Sequence, residues 1–114
     1  MIAVDPSKYA EELDYLVSYA REDLVGFHVV VGSATGLLGL DAEREQDIEL
    51  TLRLVADLLA AGVRPGELDL GSETPFVPWP LDDRAALARI DAELHELDEL
   101  PIADEICWFA VPRG

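Results

Sequence analysis

Apolar side chains recur at helical spacing near the start of the chain. From Tyr9 to Ala20 they return every three or four positions, and most residues between them are acidic or polar. Asp5 and Pro6 precede this stripe as a helix-start signal, because Asp accepts free amide protons of the first turn and Pro has none to lose. The pattern predicts an amphipathic helix from about Pro6 to Arg21.

Two later stretches carry the same helical pattern. One apolar stripe begins after Asp41, which can cap a helix, and ends before Gly62, a residue suited to the left-handed turn at a helix end. Another follows Asp82 and Asp83, either of which can be the cap, and continues to about Glu99. We therefore expect two further amphipathic helices.

The stretch from Leu24 to Leu38 fits two structures. Its β-branched run from Val29 to Val31 is typical of a buried strand. At the same time Phe27, Val31 and Ala34 lie on one face of a helix. We favour the helix, with the strand as the open alternative.

Three short stretches indicate a small amount of β structure. Pro65 and Gly66 predict a turn within the apolar segment from Val63 to Leu70. The residues from Phe76 to Trp79 can pair with this segment as a second short strand. Prolines in and around that second strand restrict it to a sheet edge. The fully apolar run from Ile106 to Val111 predicts a C-terminal strand.

These elements predict a mainly α protein with a small β element, an α+β fold of about four helices, a short hairpin and a C-terminal strand. The 114 residues fit a single compact acidic domain, 1–114. Three helices followed by a two-stranded wing is the order of a winged-helix module, a common DNA-binding architecture. This order suggests DNA binding as a hypothesis, which can be tested against the charge of the chain.

The charge argues against a nucleic-acid partner. The chain has 24 Asp and Glu against 8 Lys and Arg, a formal net charge of −16. Six acids and two bases fall between Asp41 and Ala61, where a recognition helix would lie. Because DNA affinity depends largely on Lys and Arg that neutralise phosphates, we expect no binding to nucleic acid. The same charge creates a field that attracts basic proteins.

The sequence predicts neither a membrane segment nor a disulfide-bonded domain. The longest run without Asp, Glu, Lys or Arg, from Leu24 to Leu40, is too short and too rich in glycine to cross a bilayer. No secretory signal is visible in the first residues. The single cysteine, Cys107, has no partner for an internal disulfide. We therefore expect a cytoplasmic protein that does not contact a membrane.

The chain carries no common catalytic, nucleotide-binding or metal-binding motif. We therefore expect no enzyme activity, no cofactor and no metal. Asp91, His95 and Glu99 fall four residues apart and can in principle hold a cation, so a metal-binding protein or small enzyme that uses His95 stays as an alternative. We favour a solvated histidine. Cys107 has apolar neighbours that raise a thiol pKa, which predicts an unreactive side chain.

Trp79 is the most informative aromatic residue. It lies between Pro78 and Pro80, so its backbone is stiff. A large, rigid side chain in such a segment can cover the core or can be presented to a partner as an anchor. Both interpretations stay open at the level of sequence.

The size, the acidity and the plan of elements give the chain a resemblance to a known class. Over its whole length it resembles the small acidic immunity proteins encoded beside bacterial polymorphic or contact-dependent toxins. The segments Phe76–Asp83, Ala88–Asp91 and Ile106–Phe109 are similar to small bacterial proteins of unassigned function. The resemblance implies a non-enzymatic inhibitor that binds a basic partner, such as a nuclease toxin, in the cytoplasm.

The resemblance also implies a contact surface, on which acids of exposed helix faces meet Lys and Arg of the toxin. The predicted contact residues are Glu45, Glu49, Trp79, Glu93 and Glu96. The alternative function is a general protein-interaction or regulatory domain, in which a winged-helix-like scaffold binds another protein and not DNA. A homodimer through the strand edge of Ile106–Val111 belongs to that alternative.

Overall fold

The computed structural model describes residues 4–39, 42–69, 71, 75–96 and 106–112 of the chain. Within these residues, four helices and four short antiparallel strands confirm the predicted α+β class. Three helices and a two-stranded hairpin follow in the predicted winged-helix order, with one unpredicted strand between the first two helices, and a helix and a strand come after them. The elements are α1 (Pro6–Glu22), β1 (Val25–Gly26), α2 (Phe27–Leu38), α3 (Arg44–Ala60), β2 (Arg64–Leu68), β3 (Phe76–Pro78), α4 (Asp83–Glu96) and β4 (Trp108–Ala110).

The helix starts follow the capping signals in the sequence. The Asp5 carboxylate accepts the amide proton of Ser7 at 2.8 Å, with Pro6 in the first turn of α1. The Asp82 carboxylate accepts the amide proton of Ala85 at 2.8 Å and so caps α4. Capping satisfies amide protons that have no partner within the helix, which is why these positions could be predicted.

The helix α3 begins at Arg44 and not directly after the predicted cap. Asp41 and the end of the predicted last helix, including Glu99, lie outside the described residues. The backbone amide of Glu43 donates to the side-chain oxygen of Gln46 at 2.9 Å, which is one half of a capping box. Gly62, with a φ of 95°, follows the helix end as the sequence predicted.

The stretch from Leu24 to Leu38 forms a two-residue strand followed by a helix. Gly26 ends β1 and has extended backbone angles, φ −68° and ψ 149°, at the N-cap of α2. Phe27, Val30 and Ala34 are fully buried on one side of α2. The favoured helix is confirmed from Phe27 onward, because burial outweighs the β preference of its valines.

The strand β4 comes last along the chain but lies inside the sheet. The sheet has the order β1-β4-β2-β3, with antiparallel pairing throughout. Trp108 pairs with Gly26 on one side and with Gly66 on the other. Because a strand lies on each side of Trp108 and Phe109, these two residues have no free edge for pairing with a second copy. A homodimer through Ile106–Val111 stays a prediction.

The predicted turn at Pro65 and Gly66 is wrong, because both residues lie within β2 in the interior of the sheet. The backbone oxygen of Pro65 accepts the amide proton of Trp79 at 2.9 Å. A strand residue directs its nitrogen and its carbonyl oxygen to the same side, so the missing N–H of Pro65 also faces Trp79, just beyond β3. The sheet therefore tolerates proline here without losing a bond between strands.

The core lies between the sheet and the helices. Phe27 of α2 stacks on Phe109 of β4 with ring centroids 5.8 Å apart, and both side chains are fully buried. Leu54 and Leu58 of α3 extend this core. The helix α1 joins it through its apolar stripe and through the Tyr9 hydroxyl, which donates a hydrogen bond to Asp57 of α3. The single-core organisation positions α3 and α4 side by side, which determines the candidate site.

Candidate partner-binding surface

The four predicted acidic contact residues lie on two neighbouring helices, Glu45 and Glu49 in the N-terminal part of α3 and Glu93 and Glu96 near the end of α4. The Arg44 guanidinium donates to the backbone oxygen of Leu94 at 3.4 Å. Close by, Glu45 Oε2 lies 3.8 Å from His95 Nε2. Glu45 and Glu49 lie one helical turn apart on α3, and both are exposed. The two packed helices hold these acids on one rigid surface.

Glu96 and Glu93 differ in how available they are. Glu96 is exposed at the end of α4. Glu93 is half-buried, and its Oε2 lies 3.4 Å from Nε of Arg89 one turn earlier. Of the four predicted acids, Glu93 is therefore partly neutralised within the chain. We define the acidic face as Glu45, Glu49 and Glu96.

Trp79 covers the core. Its side chain is only 8% exposed, and the Arg89 guanidinium carbon lies 3.7 Å from its ring centroid. The burial decides between the two sequence interpretations in favour of the core. The indole Nε1 is buried and has no hydrogen-bond acceptor among the described residues. Trp79 is therefore a core residue contributed by the loop between β3 and α4.

Arg89 organises the charges around Trp79, a role that the sequence analysis missed. Besides Glu93, it has Glu67 of β2 as a partner, with Nη2 and Oε1 3.7 Å apart. The available signal was the spacing of Arg89 and Glu93, which places opposite charges on adjacent helical turns. The stacking on Trp79 depends on how the chain folds back, and spacing along the chain does not reveal it.

The possible metal site finds no support among the described residues. Nδ1 of His95 lies 2.8 Å from the Asp91 carboxylate, so that pair is brought together, whereas Glu99 lies outside the described residues. Within residues 4–39, 42–69, 71, 75–96 and 106–112, no three His, Cys, Asp or Glu side chains form a group that could hold a metal ion. His95 is exposed, as the interpretation of a solvated histidine expected.

Cys107 is buried at the start of the C-terminal strand segment. Burial, together with the nearby Glu93 carboxylate, raises the pKa of the Cys107 thiol far above its usual range. The thiol therefore stays protonated at neutral pH, and a protonated thiol is a poor nucleophile. This agrees with the unreactive cysteine that its apolar neighbours predicted.

The environment of His95 predicts a measurable pH dependence. A backbone hydrogen bond to Asp91 and the carboxylates of Asp91 and Glu45 raise the pKa of His95 above its usual 6.5. A raised pKa in the folded state means that protonation stabilises the fold. That stabilisation is fully present below pH 6.5 and is lost as the pH rises through the raised pKa.

We expect an NMR titration of the His95 ring to show the raised pKa, and Glu45→Gln and Asp91→Asn to lower it. Unfolding measured across the same pH range should show the loss of stability in the unmodified chain, and a smaller loss in His95→Gln. A ring that titrates at the ordinary value in all variants would contradict the observed contacts.

Comparisons with known proteins add no assignment. The chain matches no protein-family model, no curated protein and no solved structure. None of the described helices combines the length and apolar character needed to cross a bilayer. Charge and surface geometry therefore carry the functional assignment.

Proposed function

We propose that this chain is a non-enzymatic acidic binding protein of the immunity or antitoxin type, which inhibits a basic partner such as a nuclease toxin in the cytoplasm. The observation that carries the proposal is the net charge of −16. The 8 Lys and Arg can neutralise at most 8 of the 24 acids one to one, which leaves the excess of 16 negative charges. Such a field steers cationic proteins toward the chain and repels polyphosphates.

The acidic face supports a contact on α3 and α4. Glu45 and Glu49 lie on successive turns, so their Cβ atoms are about 5–6 Å apart. A nuclease cleft carries Lys and Arg because its substrate is a chain of phosphates. Carboxylates presented at short, fixed intervals can take the place of those phosphates, and an occupied cleft cannot bind nucleic acid.

The first test identifies the partner and asks what binding does to it. The full chain is used to capture proteins from its host, and mass spectrometry identifies those retained at moderate ionic strength. The proposal expects a basic protein whose nuclease activity falls to background when one equivalent of the chain is added. A captured partner that is acidic, or one whose activity is unchanged, favours the general protein-interaction domain instead.

The second test asks whether the acidic face makes the contact. A variant with Glu45, Glu49 and Glu96 changed to Gln is compared with a control in which Glu11→Gln, Glu12→Gln and Asp14→Asn change the net charge equally on α1. Glu93 is left in place because it neutralises Arg89.

At low salt the acidic-face variant should associate about tenfold more slowly, with little change in dissociation, because surface charges act mainly on the encounter. The α1 control should change association much less. Equal effects from the two variants would show that total charge, and not this face, directs the encounter.

A further inference from the structure

A groove of about 600 Å³ lies at the C-terminal end of α1. The end of α1 forms part of it, together with β3 and the residues that follow β4. The larger apolar residues that line it are Leu24, Pro75, Phe76, Pro78, Val111 and Pro112. No pattern in the sequence indicates this surface, because its walls come from three separate parts of the chain.

The groove is formed by backbone that has little freedom. The amide of Val111 donates to the backbone oxygen of Ala20 at 3.2 Å, which joins the end of β4 to the end of α1. On the other wall, β3 pairs with β2 and contains Pro78, whose ring fixes its own φ. A pre-formed apolar groove binds an extended segment without the cost of ordering its own walls.

The rim of the groove is negative. Glu22 and Asp23 lie at its edge and are exposed, with Arg21 as the basic residue of that turn. Glu22 is the last residue of α1 and Asp23 is its C-cap, so both lie where the helix dipole places partial negative charge on the last carbonyl oxygens. Dipole and carboxylates act in the same direction, so the rim favours a cation.

A smaller hollow of about 340 Å³ continues from the rim along α1. It shares Glu22 and Asp23 with the groove and is lined by Tyr15 and Tyr19, whose rings meet edge to face with centroids 5.9 Å apart. Tyr15 is 52% exposed, which is unusual for a large aromatic side chain in this molecule. Exposed tyrosine faces attract Lys and Arg side chains.

We infer that the groove and the adjoining hollow bind an extended protein segment that carries an apolar anchor residue flanked by Lys or Arg. The anchor occupies the apolar groove, and the flanking cations reach Glu22, Asp23 and the face of Tyr15. Charge complementarity determines this occupant, because the rim and the chain as a whole are both acidic. The inference goes beyond the proposed function, since the acidic face on α3 and α4 plays no part in it.

The test uses the full 15N-labelled chain and three synthetic peptides. The probe is Ac-Arg-Leu-Trp-Leu-Arg-amide. In one control Glu replaces both Arg residues, and in the other Ser-Gly-Ser replaces the apolar centre. We expect the probe to shift the amide resonances of Glu22, Asp23, Phe76 and Val111, with binding roughly fivefold weaker or worse for each control peptide.

Variants separate the rim from general charge. The double variant Glu22→Gln with Asp23→Asn should bind the probe peptide roughly fivefold more weakly. The control Glu11→Gln with Asp14→Asn, an equal charge change on the same helix, should bind the probe peptide with almost unchanged affinity. Thermal unfolding of each variant confirms that it is folded.

Three results would overturn the inference. They are equal binding of all three peptides, resonance shifts confined to the acidic face, and shifts at the groove that appear on raising the protein concentration without peptide. The last result would show that a second copy of the chain occupies the groove. None of them affects the partner capture that tests the proposed function, so the two proposals fail separately.

Discussion

Replacing Trp79 with alanine is expected to lower the free energy of unfolding by about 3–5 kcal/mol, as for other large aromatic side chains removed from a core. The side chain is 8% exposed and packs against the main core. Its removal also takes away the ring on which the Arg89 guanidinium rests. Chemical denaturation followed by far-ultraviolet circular dichroism measures the loss.

Two further substitutions show what the indole contributes. Trp79→Phe keeps an aromatic ring and removes the N–H that lacks an acceptor among the described residues. It should therefore lower the free energy of unfolding by less than half as much as Trp79→Ala does. Val77→Ala, at a side chain that is 47% exposed on the neighbouring strand, should change stability by no more than about 0.5 kcal/mol. If Trp79→Ala were as mild as Val77→Ala, Trp79 would not be a core residue in solution.

Two glycine-to-alanine substitutions are expected to act in opposite directions. A Cβ at Gly66 would lie 2.4 Å from the backbone oxygen of Val77 and 2.8 Å from Cα of Pro78. Backbone atoms of β3 would have to move, so Gly66→Ala should destabilise the fold by about 1–3 kcal/mol. A Cβ at Gly36 in α2 meets nothing within 4 Å.

Gly36→Ala should therefore stabilise the fold by about 0.5–1 kcal/mol, because alanine loses less backbone entropy in a helix. Measuring both variants in one denaturation series removes systematic error, since the chemical change is identical. If Gly66→Ala does not destabilise the fold, the close approach of β2 and β3 is not rigid in solution. If Gly36→Ala destabilises the fold, the open space beside Gly36 of α2 is not present in solution.

The helices could be predicted because their signals are local. Asp5 and Asp82 cap the helices that follow them, and both capping bonds involve residues two or three positions away. The strand alternative for Val29–Val31 was wrong, because these residues lie within α2, and the two-residue strand β1 that precedes α2 was not predicted. The sequence alone could not locate the boundary at Gly26, because it depends on which residues β4 and the core cover.

The sheet could not be predicted in the same way. Pro65 and Gly66 favour a turn in isolation. Whether they can lie in a strand depends on which neighbouring strand the nitrogen of Pro65, which has no hydrogen, faces, and those strands are distant in sequence. The edge position of β3 followed from its prolines, which is a local argument. The interior position of β4 required knowing that it pairs with both β1 and β2.

The candidate site was predictable in total charge and not in detail. Composition alone determined that most acids lack a basic partner within the chain. Which of the predicted contact acids is partly neutralised depends on the position of Arg89. Its guanidinium lies over the ring of Trp79 and close to the carboxylates of Glu67 and Glu93. The groove at the end of α1 depends on three segments meeting, so neither composition nor periodicity could indicate it.

The interior position of β4 has a consequence for synthesis. Val25 and Phe109 are paired neighbours in the sheet, yet most of the chain separates them in sequence. The ribosome therefore releases β1, β2 and β3 before the strand that joins β1 to the hairpin exists. Because bringing together residues so distant in sequence is entropically slow, we expect the pairing of β4 with β1 to form late in folding.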